Sequence, residues 1–472
     1  MNPFLNPITL IPFLKNYFTI PAQLHKKNPE YIKKYRDKSF KKIVKYAYTI
    51  PVYHRKYKKA GVHPNDIRGI EDIGKLPFIT KKDFIENFPE GLRPVNYDIK
   101  NARVVSTSGS TGKPVSFYID FPTLSESVCF GTVREGIYFG YKWRKMKLVS
   151  LGNFSRGKAD HVFEELLSSK SKPFRNSNNY LTMNAFDEPK VIIKKLDEFK
   201  PDYIITYPVT LQELAYFKKK GYGKNIKPKV LVSSGYVLDE YTRSYVEDAF
   251  DCNVVNDYTS AEGFSDISIE CLEKTWHINY DAFHIEAIDE ENNIVSPGKK
   301  GHVVMTRLFG RATPFIRYTG MDDWVTIISE YECSCGIKTP ILKNGIEGRQ
   351  STSIVLPNGH VIPSASFAIV SLILRDLKTF KVTQFQIIQK KIDDVDILLV
   401  IDENLRDVGP SVESIFKKIK DGYEESFGSD IKFNVKEVDK IKSPKGKPLP
   451  LVISKIKPEE GFKITEKKSL EK

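Results

Sequence analysis

Residues 102–119 read Ala-Arg-Val-Val-Ser-Thr-Ser-Gly-Ser-Thr-Gly-Lys-Pro-Val-Ser-Phe-Tyr-Ile. The β-branched and aromatic residues at both ends of this segment predict two strands joined by a short loop. The loop carries many hydroxyl groups, two glycines that let backbone N–H groups approach an anion, and a lysine at its end. These features predict a phosphate-binding loop made of Ser106, Thr107, Ser108, Gly109, Ser110, Thr111, Gly112 and Lys113.

The loop differs from the phosphate-binding loop of the P-loop NTPases. That loop has four residues between its glycines, a Ser or Thr after its lysine, and a helix that follows at once. Here two residues separate Gly109 from Gly112, Pro114 follows Lys113, and the run from Val115 alternates as a strand does. The sequence therefore excludes that class, and an ordinary Ser/Gly hairpin turn is the structural alternative to phosphate binding.

The composition is that of a folded protein with more than one domain. A chain of 472 residues is long enough for two or three domains, and its 40% hydrophobic and 28% charged residues exclude a disordered protein. The 73 Lys and Arg residues outnumber the 59 Asp and Glu residues, and the net charge of +14 favours anionic ligands or surfaces. Five cysteines and no secretory signal predict a location in the reducing cytoplasm.

The beginning of the chain has two features that bear on its partners. Residues 1–20 mix apolar residues with Pro and Asn, so we expect no transmembrane segment there, while a weak peripheral membrane contact stays open. Residues 32–59 carry many Lys and Arg among Tyr, Phe and Ile, which fits either a nucleic-acid-binding stripe or an amphipathic helix with a solvated basic face. We favour the helix and expect no specific nucleic-acid partner. The sequence predicts no oligomeric state.

Thr80 caps a predicted helix at 80–88, and residues 121–140 read as one long helix ending at Gly140. From residue 189 onward the chain alternates between helix and strand patterns. The predicted order is helix 189–199, strand 203–206, helix 210–221, strand 229–233, helix 239–250 and strand 253–257. Such units form a parallel sheet covered by helices, and ligands lie beyond the carboxyl ends of its strands. Residues 233–236 and 256–263 follow two of these strands, so we expect them to line a ligand site.

A second domain is predicted at the C-terminal end. A β-rich stretch leads to Arg349, after which the composition shifts to a compact α+β unit with an exposed lysine loop at residues 443–448. The sequence therefore predicts an α/β protein: a large N-terminal domain, 1–349, with parallel sheets, covering helices and a small β-rich part, followed by a small mobile α+β domain, 350–472.

Taken in order, these motifs resemble those of the adenylate-forming (AMP-dependent) ligases. The resemblance is closest to the phenylacetate-CoA ligase-like branch, which includes the CapK capsular polysaccharide biosynthesis proteins, and it covers roughly residues 30–455. It implies that the loop at 106–113 grips the pyrophosphate end of ATP. It also implies that the chain is an enzyme, an AMP-forming acid ligase of the acyl-CoA synthetase type.

The resemblance further implies roles for individual residues. Tyr258 would stack on adenine, Glu262 would associate with Mg2+, and Arg349 would mark the hinge before the C-terminal domain. Asp322, which follows Arg317 at the family's spacing but comes after Met instead of Gly, would bind the ribose. The remaining nucleotide-binding positions that it implies are Ser234, Gly235, Tyr236, Asp257 and Thr259. The catalytic positions that it implies are Lys447, Glu262 and Lys113.

The implied chemistry uses ATP, Mg2+ and a small-molecule carboxylic acid. Attack of the carboxylate on the α-phosphorus of ATP makes an acyl-adenylate, and cationic groups offset the repulsion between the two anions. Coenzyme A is the expected acceptor. The alternative is direct transfer to an amine or hydroxyl in capsular or cell-surface polysaccharide biosynthesis. A nucleic-acid-binding protein, a third reading, leaves the ordered motifs unexplained.

Four residues also form a candidate structural zinc site. Cys271 precedes His277 by six residues, and Cys333 and Cys335 lie in Glu-Cys-Ser-Cys-Gly. Three thiolates and one imidazole make a closed tetrahedral site with no open position. The alternative is two unconnected pairs.

Overall fold

The computed structural model of the chain describes residues 6–107, 114–140, 145–171, 179–349, 353–357, 361–362, 364–367, 369–442 and 450–456. It confirms the predicted α/β class, because helices cover a large sheet and a smaller sheet follows near the C-terminus.

The helix that follows Thr80 begins with the cap that the sequence predicts. Thr80 accepts a hydrogen bond of 3.1 Å from the backbone N–H of Asp83, whose carboxylate accepts one of 2.7 Å from the N–H of Thr80, so the predicted cap is a capping box. In chain order the helices are α1 (Pro7–Thr19), α2 (Gln23–Lys26), α3 (Pro29–Ala47), α4 (Pro51–Lys59), α5 (Lys81–Asn87), α6 (Phe121–Phe130), α7 (Thr132–Tyr138), α8 (Ala159–Ser171), α9 (Pro189–Phe199), α10 (Pro208–Lys219), α11 (Glu240–Phe250), α12 (Ser364–Phe367), α13 (Val370–Asp376) and α14 (Val412–Phe427).

The segment at 121–140 reads in the sequence as one long helix, and this prediction is wrong. The structure has α6 and α7 instead, because Gly131 between them has a non-helical backbone with ψ of −109°. A Cβ atom at Gly131 would lie 2.9 Å from a carboxylate oxygen of Asp266. The glycine therefore lets the chain turn close beside that carboxylate.

The strands of the described residues form sheets of different kinds. In chain order they are β1 (Ala102–Ser106), β2 (Ser116–Asp120), β3 (Leu148–Gly152), β4 (Tyr180–Asn184), β5 (Tyr203–Thr206), β6 (Val230–Ser233), β7 (Asn253–Thr259), β8 (Asp266–Glu270), β9 (Trp276–Ile278), β10 (Phe283–Ile288), β11 (Lys300–Arg307), β12 (Trp324–Ile328), β13 (Ile341–Leu342), β14 (Ile354–Val355), β15 (Val361–Ile362), β16 (Val382–Lys391), β17 (Asp394–Ile401), β18 (Lys432–Glu437) and β19 (Val452–Ser454).

The main sheet combines a parallel half with an antiparallel half. Its order within the described part of the chain is β10-β11-β12-β13-β9-β8-β7-β6-β5-β3-β4. Strands β4, β3, β5, β6 and β7 pair in parallel, as the alternation of helices and strands predicts. The rest of the sheet, from β7 across β8, β9, β13, β12 and β11 to β10, pairs antiparallel. The carboxyl ends of β5, β6 and β7 consequently meet at one edge.

The predicted pair of strands around the Ser/Gly loop is an antiparallel hairpin. Ser106 at the end of β1 lies opposite Ser116 at the start of β2. The backbone N–H of Thr107 donates a hydrogen bond of 2.9 Å to the carbonyl oxygen of Val115, which closes the base of the loop. Residues 108–113 lie outside the described residues.

The C-terminal part has a sheet and a core of its own. Its order is β18-β17-β16-β19, and α14 buries Ile415, Ile419 and Tyr423 against it. Tyr241 of α11 reaches into this core and donates a hydrogen bond to the carbonyl oxygen of Val382. The predicted domain boundary at 349/350 stays a prediction.

Helices α1 and α3 lie at the N-terminal end and differ in how much they bury. Helix α3 buries one face, including Phe40 and Val44, while its lysines point outward, as the amphipathic pattern predicts. Helix α1 has no fully buried residue. Of the helices that the structure describes, none combines the length and the apolar character that a membrane span needs.

Candidate active site

A cavity of about 820 Å3 lies at the carboxyl ends of the parallel strands. The predicted residues that line it are Gly235, Tyr236, Asp257, Tyr258, Thr259 and Arg349. Its other wall comes from the C-terminal part, through Ser364, Leu372, Phe385, Leu451 and Ser454. A cleft in this position of an open α/β sheet is where a ligand is expected.

The turn after β6 places an aromatic ring in the cavity. The Ser234 hydroxyl lies 3.1 Å from the Thr259 hydroxyl, and the Ser234 N–H donates a hydrogen bond of 2.9 Å to the carbonyl oxygen of Thr206. Gly235 has a φ of +77°, which a side chain would strain. Tyr236 then meets Tyr207 edge to face, with ring centroids 5.7 Å apart.

Tyr258 is fixed by an acid that sequence reasoning missed. Its hydroxyl donates a hydrogen bond of 2.7 Å to the carboxylate of Asp323, which also lies 3.3 Å from Nε of Arg349. The Arg349 guanidinium in turn lies 5.9 Å from the centre of the Tyr236 ring. Asp323 therefore joins the end of β7 to the predicted hinge, and it lines the cavity.

The predicted ribose ligand, Asp322, is the neighbour of this buried acid. Asp322 is half-buried, whereas Asp323 is 5% exposed. The charge of Asp323, and to a smaller extent that of Asp322, raises the pKa of Arg349 above its usual value. Both acids thus lie near Arg349. The sequence feature that points to Asp323 is that it directly follows Asp322, so either aspartate of the pair is a candidate ligand.

Glu262 belongs to the same electrostatic environment. Burial raises the pKa of its carboxyl above 4.5, Arg349 acts in the opposite direction, and Asp323 adds to the rise. The backbone carbonyl of Glu262 accepts a hydrogen bond of 3.0 Å from Arg307, which holds the loop after β7. The structure consequently brings Glu262, Asp323 and Arg349 to one region.

The described base of the Ser/Gly loop is held by its own hydroxyl groups. The hydroxyls of Ser106 and Ser116 lie 2.8 Å apart, and the Thr107 hydroxyl accepts a hydrogen bond of 3.0 Å from the N–H of Val115. Lys158 donates to the carbonyl of Thr107 at 3.4 Å. The other predicted loop residues, Ser108, Gly109, Ser110, Thr111, Gly112 and Lys113, lie outside the described residues, as does Lys447.

Asp257 lines the cavity, but its carboxylate points into the protein. Oxygen atoms of Glu135, Asp257 and Asp266 lie within 4.8 Å of one another, and all three residues are buried. Burial raises the pKa of Glu135 to about 7 and raises the pKa of the two aspartates well above 3.8. Tyr203 donates a hydrogen bond of 2.7 Å to Glu135. Burial therefore favours the protonated forms of these carboxyls, and sequence reasoning missed the cluster.

The four candidate zinc ligands converge beside the main sheet. Their ligand atoms lie within 4.8 Å of one another. The sulfur atoms of Cys271 and Cys333 are 3.8 Å apart, and the sulfur of Cys335 is 3.2 Å from Nε2 of His277. Nδ1 of His277 lies 3.4 Å from the Thr339 hydroxyl, which can orient the ring for binding through Nε2. The alternative of two unconnected pairs is thus excluded.

Comparison with known proteins matches this chain to ligases over most of its length. Residues 363–455 match the family model described as the CapK C-terminal domain. Phenylacetate-coenzyme A ligase of Thermus thermophilus is 28% identical over 403 residues, which cover 82% of this chain and 85% of that protein. Protein CapK of Staphylococcus aureus is 26% identical over 400 residues, with coverages of 82% and 81%. The chain is a homologue of the phenylacetate-CoA ligases and of CapK.

The fold of this CoA-ligase homologue is also that of a solved ligase. The crystal structure of 2-hydroxyisobutyryl-CoA ligase in the postadenylation state, in complex with R3-HIB-AMP, gives a TM-score of 0.75 at 18% identity and covers 92% of this chain and 91% of that chain. The same ligase in its thioesterification state, with 2-HIB-AMP and CoA, gives 0.59 at the same identity and coverages. The family and the enzyme class predicted from the motifs, an AMP-forming acid ligase, are confirmed.

Proposed function

We propose that this protein activates a carboxylic acid with ATP to an acyl-adenylate and then transfers the acyl group to coenzyme A. The observation that carries the proposal is a cavity that Tyr236, Tyr258, Asp323 and Arg349 line together with residues of the C-terminal sheet. Homology to phenylacetate-CoA ligases over 82% of the chain supports the same reaction. A cytoplasmic location, where ATP and coenzyme A are available, is part of the proposal.

The residues suit the chemistry of the first step. A carboxylate oxygen attacks the α-phosphorus of ATP, a P–O bond forms, and the bond to the β-phosphate breaks to release pyrophosphate. Both reactants are anionic, so positive charge must gather where they meet. We assign Lys447 to the carboxylate and α-phosphate, and Lys113 with the hydroxyls of the Ser/Gly loop to the pyrophosphate. Mg2+ bound beside Glu262 would neutralise phosphate charge.

The other side chains of the cavity would position the nucleoside. We assign adenine to the turn at Ser234 and Gly235 and to the ring of Tyr258, with Tyr236 at its edge. We assign the ribose hydroxyls to the acids that precede β12, either Asp322, as the motif spacing implies, or Asp323, which the structure places in the cavity.

The acid itself is proposed to be aryl or apolar. Tyr207 stacks with Phe186 at 6.0 Å and meets Tyr236 edge to face, and Pro208 lines the cavity beside them. An aromatic wall of this kind excludes water and favours acids with rings or long apolar groups. Phe264, two residues after Glu262, is buried in the main core next to Phe163.

The acceptor has a second candidate. Homology to CapK and the match of residues 363–455 to the CapK C-terminal domain support direct transfer to an amine or hydroxyl group in capsular or cell-surface polysaccharide biosynthesis. In that case the thiol of coenzyme A is replaced by the acceptor's nitrogen or oxygen, and AMP leaves in the same way.

A panel of acids in ATP–pyrophosphate exchange tests the proposal. Exchange that depends on an aryl or apolar acid and on Mg2+ supports adenylation, and exchange that is equal for acetate and aryl acids contradicts the proposed acid class. Adding coenzyme A to the best acid should then yield a thioester. Strong exchange without any thioester favours the amine or hydroxyl acceptor. No exchange with any acid contradicts adenylation itself.

We also infer a structural zinc ion held by Cys271, His277, Cys333 and Cys335. With Zn–S bonds of about 2.3 Å, tetrahedral geometry places two sulfur ligands roughly 3.8 Å apart. The observed separation of the Cys271 and Cys333 sulfurs is 3.8 Å, and these cysteines are not joined as a disulfide. Three thiolates and an imidazole leave no open coordination position, so the ion would tie the loop after β12 to β8 and β9 and take no part in catalysis.

A further inference from the structure

Helix α1 presents an apolar stripe to the solvent. Ile8 is 82% exposed, Ile11 is 65% exposed and Phe18 is 75% exposed, and these are three of the four most exposed large hydrophobic side chains among the described residues. Successive residues of a helix are rotated by about 100°, so these three side chains lie within an arc of about 80°. They therefore form one continuous stripe on a single face.

The opposite face of α1 fixes the helix to the protein. Phe13 and Tyr17 pack against the main hydrophobic core, and α1 lies along α6. The Asn6 side chain caps the helix by accepting a hydrogen bond from the N–H of Ile8. Because the helix is anchored through Phe13 and Tyr17, its apolar stripe faces away from the core.

Most of the protein's excess positive charge lies in the same part of the chain. Residues 1–60 contain fourteen Lys and Arg residues and two acidic residues, which gives +12 of the net charge of +14. The lysines in the first 45 residues are all exposed: Lys15, Lys26, Lys27, Lys33, Lys34, Lys38, Lys41, Lys42 and Lys45. Ion pairs with acidic residues join Lys33 to Glu71 and Lys34 to Glu30 on the surface, where such pairs contribute little stability.

We propose that α1 binds the surface of an anionic membrane. Ile8, Ile11 and Phe18 would enter the boundary between headgroups and acyl chains, while Lys15, Lys26 and the lysines of α3 would lie near lipid phosphates. The 13-residue helix is about 20 Å long, shorter than a hydrocarbon core of about 30 Å, so it would lie along the surface.

The positive charge of residues 1–60 and the apolar stripe together favour an anionic membrane over a second copy of the chain or a nucleic acid. A second copy of the chain would bring two segments of +12 together, which is unfavourable. A nucleic acid would satisfy the lysines but offers no apolar interior for Ile8, Ile11 and Phe18. An anionic bilayer complements both the apolar stripe and the charge.

Co-sedimentation of the full chain with vesicles tests the proposal. The protein should bind vesicles of phosphatidylcholine with about one third phosphatidylglycerol and should bind vesicles of phosphatidylcholine alone at least about tenfold more weakly. Raising NaCl from about 0.05 M to about 0.5 M should weaken the binding severalfold, because salt screens the lysines. Equal binding to both kinds of vesicle, or none to either, overturns the proposal.

Two matched variants separate the stripe from unspecific adsorption. The triple variant Ile8→Ser, Ile11→Ser, Phe18→Ser should lose at least about tenfold in affinity for the anionic vesicles while keeping its melting temperature, since these side chains are exposed. The control variant Val95→Ser, Ile294→Ser removes apolar side chains that are 77% and 57% exposed elsewhere and should bind as the parent does. An equal loss in both variants contradicts a role for α1.

A fluorescent probe tests insertion directly. Phe18→Trp should shift its emission to the blue when anionic vesicles are added, whereas Val95→Trp should not. Two further measurements test the other partners. Size-exclusion chromatography with light scattering detects a dimer, and a titration with DNA detects nucleic-acid binding. A dimer that the triple Ser variant abolishes, or DNA binding that the triple variant weakens, assigns the stripe to those partners and overturns the membrane proposal.

Discussion

The hydroxyl of Tyr258 donates a hydrogen bond of 2.7 Å to the carboxylate of Asp323, which also contacts the guanidinium of Arg349. These residues come from the end of β7, the position just before β12 and the predicted hinge. One buried carboxylate thus links the proposed adenine-stacking tyrosine to the segment that leads into the C-terminal part.

Replacing this carboxylate should weaken ATP binding. We expect Asp323→Asn to raise the KM for ATP in pyrophosphate exchange by about tenfold or more, since hydrogen bonds to charged groups contribute about 1.5–3 kcal/mol. Asp322→Asn is the matched control one residue earlier and should have a smaller effect. Should Asp322→Asn give the larger rise with both variants melting as the parent does, the ribose is assigned to Asp322.

The lysine loop near the C-terminus supplies a second matched pair. Lys447→Ala should lower the rate of adenylation by at least about a hundredfold, because it removes the cation proposed to meet the transition-state charge, while ATP binding measured by calorimetry changes little. Lys445→Ala removes the same charge two residues away and should retain most of the activity. Similar adenylation rates for both variants would contradict the catalytic role assigned to Lys447.

The thiolate and imidazole cluster predicts a bound metal. Purified protein should contain about one zinc ion per chain by elemental analysis, and Cys335→Ser should lose it and melt several degrees lower. Cys252→Ser alters a half-buried cysteine outside the cluster and should change neither value. A metal-free protein that melts at the same temperature with and without added zinc contradicts the site.

The buried carboxyl cluster predicts a dependence of stability on pH. Burial raises the pKa of Glu135 to about 7 from its ordinary value of 4.5, so between these values the folded state binds more protons than the unfolded state. The contribution of Glu135 to the free energy of unfolding is therefore full below pH 4.5 and is lost as the pH rises through about 7.

Urea unfolding at pH 5 and pH 8 measures this loss, which we expect to be on the order of a few kcal/mol. Glu135→Gln cannot ionise and should flatten the dependence, while Glu198→Gln, on the exposed face of α9, should leave it unchanged. The same slope in the parent and in Glu135→Gln would show that the cluster does not hold the proton.

Local patterns in the sequence determined much of this protein. The two strands at the ends of the run 102–119, the cap at Thr80 and the alternation of helices and strands from residue 189 each depend on neighbouring residues, and the structure has all of them. The grouping of Cys271, His277, Cys333 and Cys335 was also predicted, because their residue types suit one metal.

Other features depended on which side chains the tertiary structure brings together. Glu135 lies far from Asp257 and Asp266 in the chain, and only the placement of α7 beside β7 and β8 brings the three buried carboxyls together. Gly131 lets the chain turn out of a helical pattern beside Asp266, and the carboxylate that accepts a hydrogen bond from Tyr258 is that of Asp323. The burial of a carboxyl group and its distance from other charges determine its pKa, and both depend on how the chain folds and not on the order of its residues.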